Sequence, residues 1–293
     1  MHHIQMGIDK SPKDWNRIWE DLLQSRSYRT KVRICRTQEE VDQARRSNLP
    51  LLGVETDHIR LTDCPLIWQP EGPDFSDGRL PSSEQKQNKK EKESSEDGQF
   101  LVPPDDLLLL AYCRQSGIPM RMAESPRLIL RELCPEDLSP LFQMYSEPGM
   151  TTFIDPLPSF EEAEKELSVY ISQVYGIYGY GLWAVTDRQT GALIGRAGIE
   201  SKPGLSGDTV ELGYQIAPHL FHRGYGREAV RSVLSFVRDH VNEDLLDLKH
   251  VIARVRPGNL ASIKILEGEG FLYSHTESCQ ALVFELNLMD TNQ

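Results

Sequence analysis

Residues 211–229, "ELGYQIAPHLFHRGYGREA", hold the transition that decides this fold. "TVELGYQI" alternates like a strand. It places Val210, Leu212, Tyr214 and Ile216 on one face and Glu211, Gly213 and Gln215 on the other. Gly224 and Gly226 then stand one residue apart among Arg223 and Arg227. Val230, Val233, Leu234 and Val237 follow at the spacing of a buried helix face. A helix start leaves several N–H groups without partners and carries partial positive charge. Glycines before it let the backbone curl so that those N–H groups converge, which suits phosphate oxygens. A tight turn with solvated arginines is the competing reading of this stretch taken alone.

Working outward, "HVIARVRP" reads as a strand, "NLASIKILEGEG" as a helix and "FLYSHTES" with "ALVFELNL" as a closing strand pair. Upstream, "RLILREL" alternates as a strand. "CPEDLSPLFQMYSE" reads as a helix opened by Pro135 and two acids. Ser159 with Glu162 forms a capping box for a second helix, with Leu167, Tyr170, Ile171 and Val174 as its core stripe. "GLWAVTDR" and "ALIGRAGIES" make a hairpin through "DRQTGA". The order is strand, two helices, three antiparallel strands, helix, strand, helix, two strands. The expected class is α/β (α+β), with a mixed, mostly antiparallel sheet flanked by helices.

"ELGYQIAPHLFHRGYGREA" and "NLASIKILEGEGF" together resemble the two signatures of the GNAT N-acetyltransferase superfamily, over about 160 residues from Arg127 to the C-terminus. The likeness is to the branch that acetylates amino termini of ribosomal proteins and to its small-molecule relatives. It implies a mixed sheet with acetyl-coenzyme A as cosubstrate and no metal. The pyrophosphate would sit on His222, Arg223, Gly224, Tyr225, Gly226 and Arg227. The pantetheine arm would hydrogen-bond near Ile216 and Ala217, between two splayed strands, and Asn259 would meet it with its side-chain amide. An aromatic, Phe221, stands where much of the superfamily has Gln or Arg. The tyrosine that many relatives use on the leaving thiolate is Leu266 here; the resembled branch has a serine three residues after the asparagine instead, and the resemblance implies that role for Ser262, one helical turn from Asn259. A first-turn serine serving the backbone is the other reading of Ser262. Tyr273 and His275 are looser candidates.

Transfer to an amine needs proton removal from the amine, polarisation of the thioester carbonyl and a proton for the thiolate. Glu211, on the polar strand face, is the candidate base; an exposed strand glutamate is the plain alternative, and Glu200 is a rival. Glu147, Asp155 and Glu277 could hold a cationic amine. The expected activity is transfer of an acetyl group to a primary amine of a small molecule or a protein N-terminus, by direct attack. The alternative is an acyl-CoA-binding module that regulates or scaffolds without turnover.

The chain has 293 residues and a formal charge of −12. That balance argues against a nucleic-acid partner. Five scattered cysteines without ligand spacing, no signal core and no 18-residue apolar run favour a cytoplasmic protein with reduced thiols and no membrane partner. Residues 1–120 read as a small α/β domain and 124–293 as the acetyltransferase domain. In the former, "TQEEVDQARRSN" is a helix capped by Thr37 and Glu40. "EGPDFSDGRLPSSEQKQNKKEKESSEDGQ", residues 71–99, is expected to be a mobile loop, because it has almost nothing to bury. Cys35–Val54 weakly resembles a strand–helix–strand of haloacid-dehalogenase-type phosphatases, but the nucleophile motif of that family is absent. A homodimer contact is one use for this domain.

Overall fold

The computed structural model describes residues 14–47, 49–54, 67–68, 105–242 and 246–290. The expected loop 71–99 and Cys64 lie outside these. The chain divides into two compact units: residues 20–118, and residues 119 onward together with the first nineteen. Helix α1 (Asp14–Ser25) opens the described chain.

The smaller unit holds α2 (Tyr28–Lys31), β1 (Arg33–Cys35), α3 (Gln38–Arg46), β2 (Leu51–Val54), β3 (Ile67–Trp68) and α4 (Asp105–Gln115). Its strands form a parallel sheet in the order β1-β2-β3. The Thr37–Glu40 capping box forms as the sequence predicts. Cys35, Val41, Ala44 and Leu51 pack into a small core. The Gln115 carboxamide brackets Leu51, accepting from its N–H at 2.9 Å and donating to its carbonyl at 2.7 Å. A side chain there substitutes for a neighbouring strand.

The larger unit is built on eight strands: β4 (Arg121–Glu124), β5 (Leu128–Arg131), β6 (Leu182–Asp187), β7 (Leu193–Glu200), β8 (Thr209–Ile216), β9 (His250–Val255), β10 (Leu272–Thr276) and β11 (Leu282–Asn287). Their order is β10-β11-β9-β8-β7-β6-β5-β4. All pairings are antiparallel except β8 with β9. Strand β4 has only four residues, and the sequence reading did not find it. Its helices are α5 (Leu138–Tyr145), α6 (Phe160–Val169), α7 (Tyr175–Tyr178), α8 (Tyr225–Asn242) and α9 (Leu260–Gly268).

The core is where the periodicities place it. Val230, Val233, Leu234 and Val237 on α8 are fully buried, each worth roughly 1.5–3 kcal/mol as apolar burial. The ring of Phe236 meets the fully buried Trp183 of β6 edge-on at 4.8 Å. Strand β5 departs from the alternation read in "RLILREL": all four of its residues are buried. Its charge survives burial through a bidentate pair, Arg131 donating to both Asp137 oxygens at 2.7 Å. Asp137, read as an acid facing the helix dipole, is thus a core residue; removing one partner of such a pair costs about 3–5 kcal/mol.

The segment after α6 is not one continuous α-helix. Residues Tyr170–Val174 form a π-turn. Widening the helix brings Tyr170 and Tyr175, five residues apart, edge to face at 5.4 Å. Both hydroxyls reach one residue of β6. The Leu182 N–H donates to the Tyr170 oxygen at 2.7 Å, and the Tyr175 hydroxyl donates to the Leu182 carbonyl at 2.6 Å.

Candidate active site

The site begins where β8 and β9 part. They pair at Thr209–His250, Val210–Val251 and Glu211–Ile252, and no further. Beyond that point β8 continues against β7, to Ile216 opposite Gly195, while β9 continues against β11. Ala217 donates its N–H to Ile194 of the β7 side at 2.8 Å. Main-chain groups alternate along a strand, so the N–H and C=O of Ile216 and Tyr214 point the other way, into the split. The Ala217 carbonyl is also taken, by the Leu220 N–H at 2.9 Å. Ala217 is buried and its N–H is spent on the β7 side, so Ile216 is the one of the pair whose main-chain groups face the split.

After β8 the chain curls twice through the left-handed region, at His222 (φ 61) and Gly224 (φ 82). The first is uncommon for a non-glycine residue and marks a constrained loop. Glu228 has the first N–H of α8 to find a main-chain acceptor, Gly224 at 3.1 Å. Among the described residues, the N–H groups from His222 to Arg227 find none. The loop is braced from the turn between β4 and β5. Arg127 donates to the Arg223 carbonyl at 3.1 Å and to Glu228 at 2.6 Å, and its guanidinium lies 4.2 Å from the Tyr225 ring centre. Glu228 also accepts from Ser125 at 2.7 Å and from the Arg127 N–H at 3.0 Å. Burial pushes the Glu228 carboxyl up, but these donors outweigh it and hold it below its ordinary range.

A cavity of about 730 Å³ runs from this loop into the split, within the range of small-molecule sites. Ile216, His222, Gly224, Tyr225, Gly226, Arg227, Asn259 and Ser262 of the expected set line it. Arg223 does not: its carbonyl holds the brace and its side chain is exposed. Gly226 lies hard against the wall. A Cβ there would sit 3.3 Å from Ile265 and 3.7 Å from Tyr214.

Asn259 caps α9, its Oδ1 accepting from the Ser262 N–H at 3.2 Å. That fixes the amide with its NH₂ turned away from the helix. The Ser262 hydroxyl meets the Tyr214 hydroxyl at 2.8 Å. Tyr214 was read from sequence only as part of the apolar face of β8. The signal was available, because a tyrosine on a buried face must find a partner for its hydroxyl. Burial pushes its phenol up to about 12 despite the opposing Ser262 hydrogen bond. It is therefore a proton donor at neutral pH.

Glu211 is the base that the sequence offered. It lies on the expected face of β8, yet it does not line the cavity. Its carboxylate is occupied by Arg254 at 2.6 Å, and Arg254 also holds Glu277 at 2.9 Å. The register explains this: Glu211 stands opposite Ile252, so Arg254, two residues on, shares its face. The rival Glu200 accepts from Tyr170 at 2.9 Å and pairs with Lys202 at 2.8 Å. Tyr273 and His275 are exposed on β10, outside the cavity lining.

Residues 127–272 match the family model of the acetyltransferase (GNAT) domain. The larger unit is a GNAT acetyltransferase domain. A protein of Bacillus subtilis (strain 168), the uncharacterized YkkB, is 29% identical over 151 residues, 51% of this chain and 84% of its own. The uncharacterized N-acetyltransferase YoaA of the same organism is 27% identical over 150 residues, 50% of this chain and 81% of its own. Among solved structures, a GNAT-family acetyltransferase of Bacillus anthracis covers 57% of this chain and 99% of its own, at 17% identity and TM-score 0.48. An acetyltransferase of Agrobacterium tumefaciens covers 66% and 99%, at 22% identity and TM-score 0.46. GNAT acetyltransferases use acetyl-CoA as cosubstrate, and the donor set of this GNAT cavity fits that molecule: an N–H cluster for its diphosphate and a free strand edge for its amides. Among the described residues, no cluster of metal ligands occurs and no helix is long and apolar enough to cross a membrane.

Proposed function

We propose that this GNAT unit transfers an acetyl group from acetyl-CoA to a primary amine by direct attack. The observation that carries this is the run of N–H groups from His222 to Arg227, without acceptors, at the mouth of a cavity that enters the split between β8 and β9. Such a run meets a diphosphate without any side-chain rearrangement. Arg227 adds charge at the rim. Tyr214 and Ile216 offer main-chain groups along the split, and the Asn259 amide offers its NH₂. Acetyl-CoA supplies an activated acyl group and a stable leaving thiolate. No covalent adduct on the protein is needed, so holding the two reactants together supplies much of the rate.

Tyr214 and Ser262 are the residues suited to give the leaving thiolate its proton. Each is the other's hydrogen-bond partner, so a proton lost from one is replaceable through the other. With Glu211 held by Arg254, the amine arrives without an evident carboxylate base. Neutral amine then comes from the solution equilibrium, and the rate rises with pH through the pKa of the acceptor amine. The test combines calorimetric titration with acetyl-CoA and thiol release on a panel of amines. Saturable binding with amine-dependent thiol release supports the proposal. Absence of saturable heat would sink it, and binding without turnover on any amine would restore the acyl-CoA-binding module.

A further inference from the structure

The face of the sheet opposite α8 and α9 has an uneven supply of charge. Arg196 of β7 stands opposite Gln215 of β8, and Glu200 stands opposite Glu211. These four side chains therefore share one face with Arg254. The carboxylates around it are all engaged. Arg254 holds Glu211 and Glu277, Lys202 holds Glu200, Arg256 holds Asp155 at 2.7 Å, and the ring and N–H of His219 hold Glu147. The three acids that the sequence offered for a cationic amine, Glu147, Asp155 and Glu277, thus each already have a partner within the protein.

Arg196 is the opposite case. It is half-buried, and its partners are neutral: Gln215 Oε1 at 3.2 Å and the Tyr145 hydroxyl, over whose ring it also lies at 5.4 Å. The arrangement orients every member. Arg196 can only donate, so the Tyr145 oxygen accepts from it and sends its own proton to Gln215 Oε1 at 2.9 Å. Gln215 Oε1 thus faces two donors, which leaves its NH₂ pointing away from Arg196 and Tyr145; Gln215 lines the cavity, and Arg196 stands behind it rather than in the lining. The result is a guanidinium without a carboxylate and, beside it, an oriented amide donor.

We infer that this pair is a subsite for a carboxylate on the acceptor, so that the amine substrate is a small amino acid rather than a polyamine. The inference rests on the acetyltransferase reading and names its substrate class. A guanidinium held only by neutral groups gains a charge-assisted hydrogen bond from a carboxylate, and Gln215 adds a second donor to the same oxygen pair. A polyamine brings only cations and donors to this face. It meets a cation and donors there, and the face discriminates against it.

The experiment compares four acceptors by thiol release: a set of free amino acids, their carboxamides, their methyl esters and spermidine. It is run on the full chain, wild type and with Arg196→Gln, Arg196→Lys and Gln215→Glu. Acetyl-CoA titration of each variant reports separately whether the cofactor side is intact. The expected result is a kcat/KM for the best amino acid at least tenfold above that of its carboxamide. Arg196→Gln collapses that ratio towards one, Arg196→Lys recovers part of it, and Gln215→Glu reverses the preference by giving Arg196 a carboxylate of its own. Equal use of acid and amide by the wild type, or preference for spermidine, overturns the inference while leaving the acetyltransferase reading in place. Loss of acetyl-CoA binding by the wild type overturns both.

Discussion

The two faces of strand β8 are built by different means. On the side of α8 and α9, Tyr214 and Ile216 look onto Gly226 and Ser262, and the ligand groups are mainly main-chain N–H groups fixed by the loop. On the other side, Glu211 and Gln215 are defined by arginines on neighbouring strands, Arg254 and Arg196. The first face acts through backbone geometry, which tolerates side-chain change but not a change in φ. The second acts through side-chain pairing, in which one substitution alters the charge offered to a ligand.

The largest effect should come from the backbone face. Gly224→Asp places a side chain at φ 82 and a carboxylate beside the N–H cluster. Space is available, with Arg127 Nη2 3.5 Å from the added Cβ, so the loss is conformational and electrostatic rather than steric. Acetyl-CoA Kd should rise on the order of 100-fold, roughly 3 kcal/mol, read by calorimetry. An unchanged Kd would remove the loop from the site. Next comes Tyr214→Phe. Proton donation of this kind is worth about 100-fold or more. With Ser262 still present, kcat should fall about 30-fold while acetyl-CoA Kd stays put. With the phenol pushed up to about 12, the wild type should keep its donor through pH 9, so a fall in kcat near neutral pH would point to another acid.

Third is the brace. Glu228 is held below its ordinary range in the folded protein. Its contribution is therefore complete above the ordinary carboxylate pKa and fades as pH falls through the lowered folded value. Glu228→Gln should weaken acetyl-CoA binding about tenfold at pH 7, roughly 1.4 kcal/mol. It should also flatten the acid limb of affinity against pH. The smallest effect belongs to Glu211→Gln, expected to alter kcat/KM less than about threefold, because its carboxylate serves Arg254 rather than the cavity. A loss of 100-fold with a shifted pH profile would return Glu211 to the role that the sequence suggested.

That ranking follows what the sequence could show. The loop, the flanking strand and the helix were legible because each is written in consecutive residues: alternation over 209–216, paired glycines, and a clean apolar stripe on α8. Asn259 and Ser262 were singled out by the family resemblance, not by any local pattern of their own. The occupancy of Glu211 was not legible, because Arg254 comes to its side only through the parallel pairing of β8 with β9. The orientation of Gln215 likewise depends on Tyr145 and Arg196, 70 and 19 residues away in the chain. The engaged N–H of Ala217 follows from a bond to Ile194 that no local pattern announces. Strand β4 was too short to carry a period, and Asp137 looked like any first-turn acid until Arg131 was seen beside it.

The π-turn at Tyr170–Val174 has a structural consequence of its own. One residue, Leu182, is gripped at both its N–H and its C=O by phenols from successive turns of a helix. Only a wide turn sets two rings five positions apart above the same residue. Shortening this helix by one residue between 171 and 174 would swing one ring aside and leave half of that grip empty. The extra residue thus works as a spacer, tying the register of the helix to the first rung of β6.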